Sequence, residues 1–349
     1  MQISQLLLAA RNALSTSLPS HAIPHLPLTG VFAVNKPPGV TSTTVVDFLQ
    51  HICQQKRAHP LVKSVLQLDN SKRAKRGLVK IGHGGTLDPL ARGVVGMGAG
   101  TKKLHDMSGS SKIYIAEGRL GFSSTTLDST GSLVASAPTD HITKDGLIQA
   151  LNAFKGEILQ TPPLYSALSM DGKRLYDYAR EGLPLPRDIP SRKVHIYEIE
   201  LLSFPDSSTV PDPRLRQYGF STNNTSNNTD TDSVASATTL PTSSTGFIPK
   251  RMIDTSETNP DHVLIPTSPV GLIFHMRVHC SSGTYIRTLI ADIAARLGTV
   301  GLMTDLLRVE QSGFKLGDKE ATLEMSECVD IERVDRAIQA GNRILTRTS

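Results

Sequence analysis

The period of the apolar positions changes several times along the chain. Val31-Phe32-Ala33-Val34 is a short apolar run bounded by Gly30 and by Pro37-Pro38-Gly39, which predicts a strand. Thr41 or Ser42 can then cap a helix in which Val45, Val46, Leu49, Ile52 and Cys53 recur at helical spacing. Further strands are predicted around residues 112–120, 193–204 and 272–280, and helices near 144–154 and 284–297. In the last of these, Ile286, Leu289, Ile290, Ile293 and Leu297 form an apolar stripe, and Gly298 is a C-terminal stop. Strands and helices mix without a regular alternation. This predicts an α+β fold, with a mixed, mostly antiparallel central sheet flanked by helices.

Residues 205–263 break the pattern. The stretch Ser221 to Asp230 reads STNNTSNNTD and offers almost nothing to bury, so the whole segment is expected to be a disordered, low-complexity insertion. Its glycosylation-type tripeptide, Asn224-Thr225-Ser226, is read as an accident of that composition. The segment also accounts for an apolar share of only 38% in 349 residues. The organisation expected is an extension over 1–28, a folded domain in two parts (29–204 and 264–325), the insertion between them, and a C-terminal tail over 326–349. The extension carries no acidic residue but many Leu and Ser, which resembles a mitochondrial transit peptide; a plain extension is the alternative.

Charge adds a partner class. Lys and Arg number 37 against 32 Asp and Glu, a net +5, which favours an anionic partner such as nucleic acid. The excess is concentrated in an insertion over 56–80, where Lys56, Arg57, Lys63, Lys72, Arg73, Lys75, Arg76 and Lys80 face one acid, Asp69. Such a run can neutralise phosphates, serve as a nuclear-import signal, or be a solvated loop. No apolar run approaches the roughly 20 residues that span a bilayer, which excludes a membrane-spanning helix. Cys53, Cys280 and Cys328 lie too far apart for a disulfide scaffold or a CxxC zinc site.

The densest motif is Gly82-His83-Gly84-Gly85-Thr86-Leu87-Asp88-Pro89-Leu90-Ala91-Arg92-Gly93. Glycines around His83 let backbone approach a ligand, and Pro89 holds Asp88 out of helix, on a loop that can present its carboxylate. A plain turn with an Asx hydrogen bond fits the same residues. His83, Asp88, His105 and Asp106 offer metal-type ligands, but without any known metal-site spacing.

This segment resembles the catalytic motif of the TruB family of tRNA pseudouridine synthases. The likeness extends to residues 31–42 (VFAVNKPPGVTS), to 161–168 (TPPLYSAL) with Asp171-Gly172-Lys173 and 178–182 (YAREG), to 280–289 (CSSGTYIRTL), and to Leu306-Leu307-Arg308. These ordered blocks span about residues 30–320, and the basic insertion before His83 with the run 98–104 (GAGTKKL) resembles the eukaryotic, fungal-type branch, which makes the pseudouridine at position 55 of the tRNA T-loop. Three departures stand out. Arg92 replaces a small hydroxyl residue, and two apolar residues fewer between Gly93 and Thr101 predict a trimmed strand. Only about 30 residues follow the last block, so no PUA domain is expected there.

The resemblance implies an isomerase that needs no cofactor and no metal. Asp88 is its expected nucleophile. It must be ionised, which calls for a cation beside it, and Arg287 matches the family residue that can pair with it bidentately. Tyr114 matches the catalytic tyrosine that stacks on the flipped uracil and helps remove the C5 proton, Tyr285 and Leu306 match residues that line the base pocket, and His83 matches the one that supports the flipped conformation. Lys36 and Lys173 are left as structural or RNA-backbone candidates. The expected partner is the tRNA T-arm and some mRNA, met by a monomer without an obligatory protein partner, in nucleus and mitochondrion, with the cytoplasm as a further place. Two rivals remain: an RNA-binding or tRNA-folding module without catalysis, and a metal-dependent hydrolase on His83 and Asp88.

Overall fold

The computed structural model describes residues 28–69, 71–100, 102–205, 211–220 and 271–348. The transit-type segment 1–27 and residues 221–270, with the glycosylation-type tripeptide, lie outside them. The chain runs β1 (Gly30–Lys36), α1 (Ser42–Gln55), α2 (Pro60–Leu68), α3 (Lys72–Lys75), β2 (Ile81–His83), β3 (Arg92–Ala99), α4 (Leu104–Gly109) and β4 (Lys112–Leu120). There follow the hairpin β5 (Phe122–Ser124) and β6 (Leu133–Ser136), α5 (Lys144–Asn152), β7 (Gly156–Gln160), the hairpin β8 (Ser169–Met170) and β9 (Lys173–Arg174), α6 (Leu175–Arg180) and β10 (Arg192–Ser203). The last elements are α7 (Pro213–Gln217), β11 (Leu272–Cys280), α8 (Ile286–Arg296), β12 (Gly301–Gln311), β13 (Phe314–Lys315), β14 (Thr322–Glu324) and α9 (Ile331–Thr348).

Among the described residues, ten strands form one sheet along the path β14-β1-β3-β12-β4-β11-β10-β7, with β2 on β3 and β13 on β12. The β14–β1 and β12–β3 pairs are parallel and the others antiparallel, the mixed sheet that the pattern predicts. Strand alternation gives the sheet two cores. On β4, Tyr114 and Ala116 join the larger one, with Phe48, Leu49 and Ile52 of α1 and Leu289, Ile290 and Ile293 of α8. Ile115 points the other way, to Leu202, Leu215, Phe220 and Leu307. Helix α1 starts where expected: the Thr41 hydroxyl accepts from Thr44 N at 3.0 Å.

Four expectations are corrected. Residues 326–349 are no tail. Ile331, Val334, Ala337, Ile338 and Leu345 of α9 are buried, and Asp335 accepts from Leu28 N at 2.7 Å. Gly341 permits this packing, because a Cβ there would come within 2.1 Å of the Val31 carbonyl on β1. The insertion, second, is ordered where it begins. Residues 211–220 carry α7, whose Leu215 is buried with Phe220 in the second core, because this stretch, unlike the Asn/Ser/Thr tract after it, has apolar side chains to bury. Third, the basic run is only half loop: α2 and α3 carry Lys63, Lys72, Arg73 and Lys75 and turn Val62, Val65 and Ala74 inward, Lys56, Arg57, Arg76 and Lys80 lie in turns and connections, and all eight are exposed. Finally, β3 is not trimmed beside the active loop, since it pairs with all seven residues of β1.

Candidate active site

The loop between β2 and β3 is held from both ends by side chains of other elements. Ser42, in the first turn of α1, accepts from Leu87 N at 2.9 Å and donates to Leu87 O at 3.3 Å. Gly39 N donates to Pro89 O at 2.9 Å. From β12, the Gln311 amide donates to Gly84 O and accepts from Gly96 N at 3.1 Å, while Arg308 donates to Gly85 O at 3.3 Å and to Val94 O at 2.6 Å. Buried polar groups are thereby satisfied and the loop is fixed without regular structure.

Asp88 projects from this loop onto Arg287, in the first turn of α8. Arg287 Nε donates to one carboxylate oxygen at 2.7 Å and Nη2 to the other at 3.2 Å, a bidentate pair. The remaining donors meet Thr126 O at 2.7 Å and Tyr165 O at 2.9 Å. The exposure is one-sided: Arg287 is 3% accessible and the Asp88 side chain 26%. The carboxylate therefore opens towards a substrate while its counter-ion is sealed behind it.

Asp128 is a second carboxylate at 3.7 Å from Arg287 Nε, bonded to the hydroxyls of Thr126 (2.6 Å) and Thr130 (2.5 Å). The residue between, Leu127, has φ of 60°, a strained value for a leucine, and is pinned by its carbonyl to Met303 N at 3.0 Å. That strain aims the Thr126 carbonyl and the Asp128 carboxylate at the same arginine.

The other expected residues fall around this pair. Tyr114 is 6% exposed, faces Arg308 across the β4–β12 ladder, and has its hydroxyl 3.5 Å from Arg308 Nη1. Burial pushes its phenol up, against a smaller opposing pull from Arg308, so the ring stays neutral. His83 ends β2; burial and then Arg308 lower it, so the imidazole is neutral, and its Nδ1 is buried without a partner among the described residues. Tyr285 precedes α8. The Gln160 amide clamps its backbone, accepting from its N at 2.7 Å and donating to its O at 3.1 Å, and the Arg192 guanidinium lies 5.0 Å from its ring centre. Leu306 is buried on β12, two residues before Arg308. Lys173 pairs with Glu181 at 2.5 Å and lies 5.3 Å from the centre of the Tyr178 ring.

Lys36 is fully buried, and its ammonium donates to the carbonyls of Val40 (2.8 Å), Pro37 (2.9 Å) and Pro89 (3.3 Å). Burial lowers its pKa from 10.5 to about 7; the Asp88 charge opposes this in part. The folded chain thus releases a proton near pH 7 that the unfolded chain keeps to about 10.5, so stability rises with pH between those values, by at most ~1.4 kcal/mol per pH unit. Urea unfolding at pH 7 to 9.5 should show the stability of wild type rising with pH relative to that of Lys36→Met. Parallel curves would reject this.

Four residues of the site carry no motif signal of their own: Asp128, Gln160, Gln311 and, beyond its place in the leucine-arginine element, Arg308. All four are 4% exposed or less. A long polar side chain on a strand is the one mark that Gln160, Arg308 and Gln311 leave in the sequence, and Asp128, in the turn between β5 and β6, leaves none.

Comparison with known proteins gives the family. Residues 72–214 match the TruB family pseudouridylate synthase N-terminal domain. The tRNA pseudouridine synthase 4 of Schizosaccharomyces pombe is 35% identical over 331 residues, covering 83% of this chain and 80% of that one. The chain belongs to the TruB family of pseudouridine synthases. Its likeness to the tRNA pseudouridine synthase 4 of Saccharomyces cerevisiae is also 35%, over 319 residues (83% of this chain and 78% of that one). The human pseudouridylate synthase TRUB1 is 44% identical over 181 residues, 51% of this chain and 50% of its own. As a TruB protein the chain is an isomerase, of the eukaryotic type.

Proposed function

We propose that this chain converts uridine to pseudouridine in tRNA, at position 55 of the T-loop, with Asp88 as the reacting carboxylate. The observation that carries this is the half-open Asp88 locked by a sealed, bidentate Arg287. Support for tRNA as substrate comes from the relatives named above. The reaction breaks the bond from N1 to C1′, turns the uracil, and joins C5 to C1′. The proton at C5 is lost and N1 gains one, so nothing is oxidised. A fixed carboxylate paired with Arg287 serves either attack at C1′ or removal of the 2′ proton. The base must leave its stack to reach Asp88, and the neutral Tyr114 ring is the aromatic group for it to stack on. Leu306 and Tyr285 close the pocket, and the uncharged His83 fills the gap in the T-loop. One protomer holds all of these groups, so a monomer suffices. Placement in nucleus and mitochondrion belongs to the same proposal, resting on the basic run and the acid-free start.

The test is pseudouridine mapping on T-arm RNA incubated with purified protein. Modification at position 55 is expected; none, or modification elsewhere, overturns the reading.

Helices α2 and α3 bear on binding. Their exposed cations lead directly into β2 and His83. Changing Lys72, Arg73, Lys75 and Arg76 together to Ser should weaken tRNA binding and leave the rate at saturating RNA unchanged. The slope of log affinity against log salt should fall by up to about one for each phosphate no longer neutralised. An unchanged slope would reject RNA binding by these helices.

A further inference from the structure

Arg92 opens β3, four residues after Asp88, and three groups hold its guanidinium. Nη1 donates to the Tyr218 carbonyl at 2.9 Å, Nη2 donates to Asp305 Oδ2 at 3.0 Å, and the plane lies 4.7 Å from the centre of the Phe220 ring. Two of these partners belong to the ordered start of the insertion. The third, Asp305, uses its other oxygen to accept from Leu306 N at 2.7 Å. One side chain thus links the strand that follows the Asp88 loop, the backbone of a base-pocket residue, and the segment 211–220.

That segment is firmly seated on the sheet. Asp212 N donates to Leu202 O at 3.1 Å, and Arg214 bridges Asp212 (2.6 Å) and Glu200 on β10 (2.8 Å). Leu215 and Phe220 fill the second core against Ile115, Leu202 and Leu307. Phe220 also lies edge-on, at 5.4 Å, to His275, the centre of a chain from Ser203 (2.7 Å) to Glu117 (3.0 Å) and on to Thr304 (2.6 Å) that crosses four neighbouring strands. The joint matters because β3 and β12 meet here through only two register pairs, Leu307 with Arg92 and Arg308 with Gly93.

We propose that residues 211–220 brace the back of the sheet, and that Arg92 is a positioning residue that holds the Asp88 loop and Leu306 in register through Tyr218, Phe220 and Asp305. The rest of the insertion is not needed for this. Arg92 touches no substrate and acts on the rate through the placement of two groups that do. This deepens the isomerase reading and rests on it.

The test uses the full chain with Arg92→Ser, Phe220→Ala, both together, Arg92→Lys, and a replacement of 221–263 by a short Gly/Ser linker. On T-arm RNA, below the unfolding range of each variant, Arg92→Ser and Phe220→Ala should each lower kcat about tenfold with KM within about twofold, as expected for misplaced rather than missing groups. The double variant should be no slower than the slower single one, the sign of a shared device. Arg92→Lys should recover part of kcat, and the linker variant should match wild type. Amide exchange, which needs no activity, should show weaker protection at Leu306 and Val94 in Arg92→Ser. Additive losses, an unchanged kcat in Arg92→Ser, unchanged exchange, or a slow linker variant would each overturn the brace. Wild type that forms no pseudouridine while these amides lose protection would overturn the isomerase reading and keep the brace.

Discussion

An Asp88→Asn protein is expected to form no measurable pseudouridine and to bind tRNA within a few-fold of wild type. The amide keeps the shape of the carboxylate but not its charge, and cannot act as nucleophile or base. It also turns an NH2 group towards one of the two Arg287 donors at 2.7 and 3.2 Å, so the pair cannot stay bidentate. RNA affinity comes mostly from phosphate contacts elsewhere and should survive. Turnover above about one per cent of wild type would remove Asp88 from the chemistry. Loss of both turnover and binding would place it in RNA recognition. If the variant still remodels tRNA, binding and chemistry are separable functions of one surface.

The second large effect is expected at Arg287, and two substitutions separate its charge from its geometry. Lysine keeps the charge but is a point donor, whereas Arg287 serves both Asp88 oxygens and the carbonyls of Thr126 and Tyr165. Arg287→Lys should cut kcat by a hundredfold or more while the protein stays folded. Arg287→Ala removes the only cation within 4.0 Å of two carboxylates among the described residues, Asp88 and the buried Asp128. It should cost about 3–5 kcal/mol of stability. The pair of experiments is decisive through its order: thermal unfolding should drop more in the alanine variant than in the lysine variant, while activity is lost in both. A lysine variant with near wild-type kcat would show that charge alone suffices.

The sequence was most legible where local chemistry decided structure. The apolar run at 31–34, the Thr41 cap, the strand at 272–280 and the Gly298 stop each rest on neighbours within a few residues. Asp88 and Arg287 could be paired only through the family resemblance, since 199 positions separate them and no spacing rule joins them. Asp128 was invisible because its role depends on a leucine at a left-handed φ, which nothing in the residue type announces. The segment 211–220 was hidden by the tract after it: a window dominated by Asn, Ser and Thr masks Leu215 and Phe220, which are buried by a distant sheet. Helix α9 has apolar residues at helical spacing. They are interleaved with Arg, Gln and Asn, and their burial depends on β1, at the other end of the chain.

That last packing has a consequence for synthesis. β1 lies between β3 and β14, pairs with β14 from Ala33 opposite Thr322 to Asn35 opposite Glu324, and is covered by α9. Leu28 and Asp335, which bond to each other, are 307 positions apart. β1 ends at Lys36, whose ammonium holds the Asp88 loop at Pro89. A nascent chain can pair β1 with β3 early, but it cannot close the far edge of β1 until residues 322–348 have left the ribosome. Contacts this distant in sequence form slowly, and an apolar strand waiting for them is open to wrong partners. The sheet around β1 is therefore completed only once residues 322–348 have emerged, and a ribosome stalled within α9 would hold a chain with Asp88 made but the far edge of β1 still open.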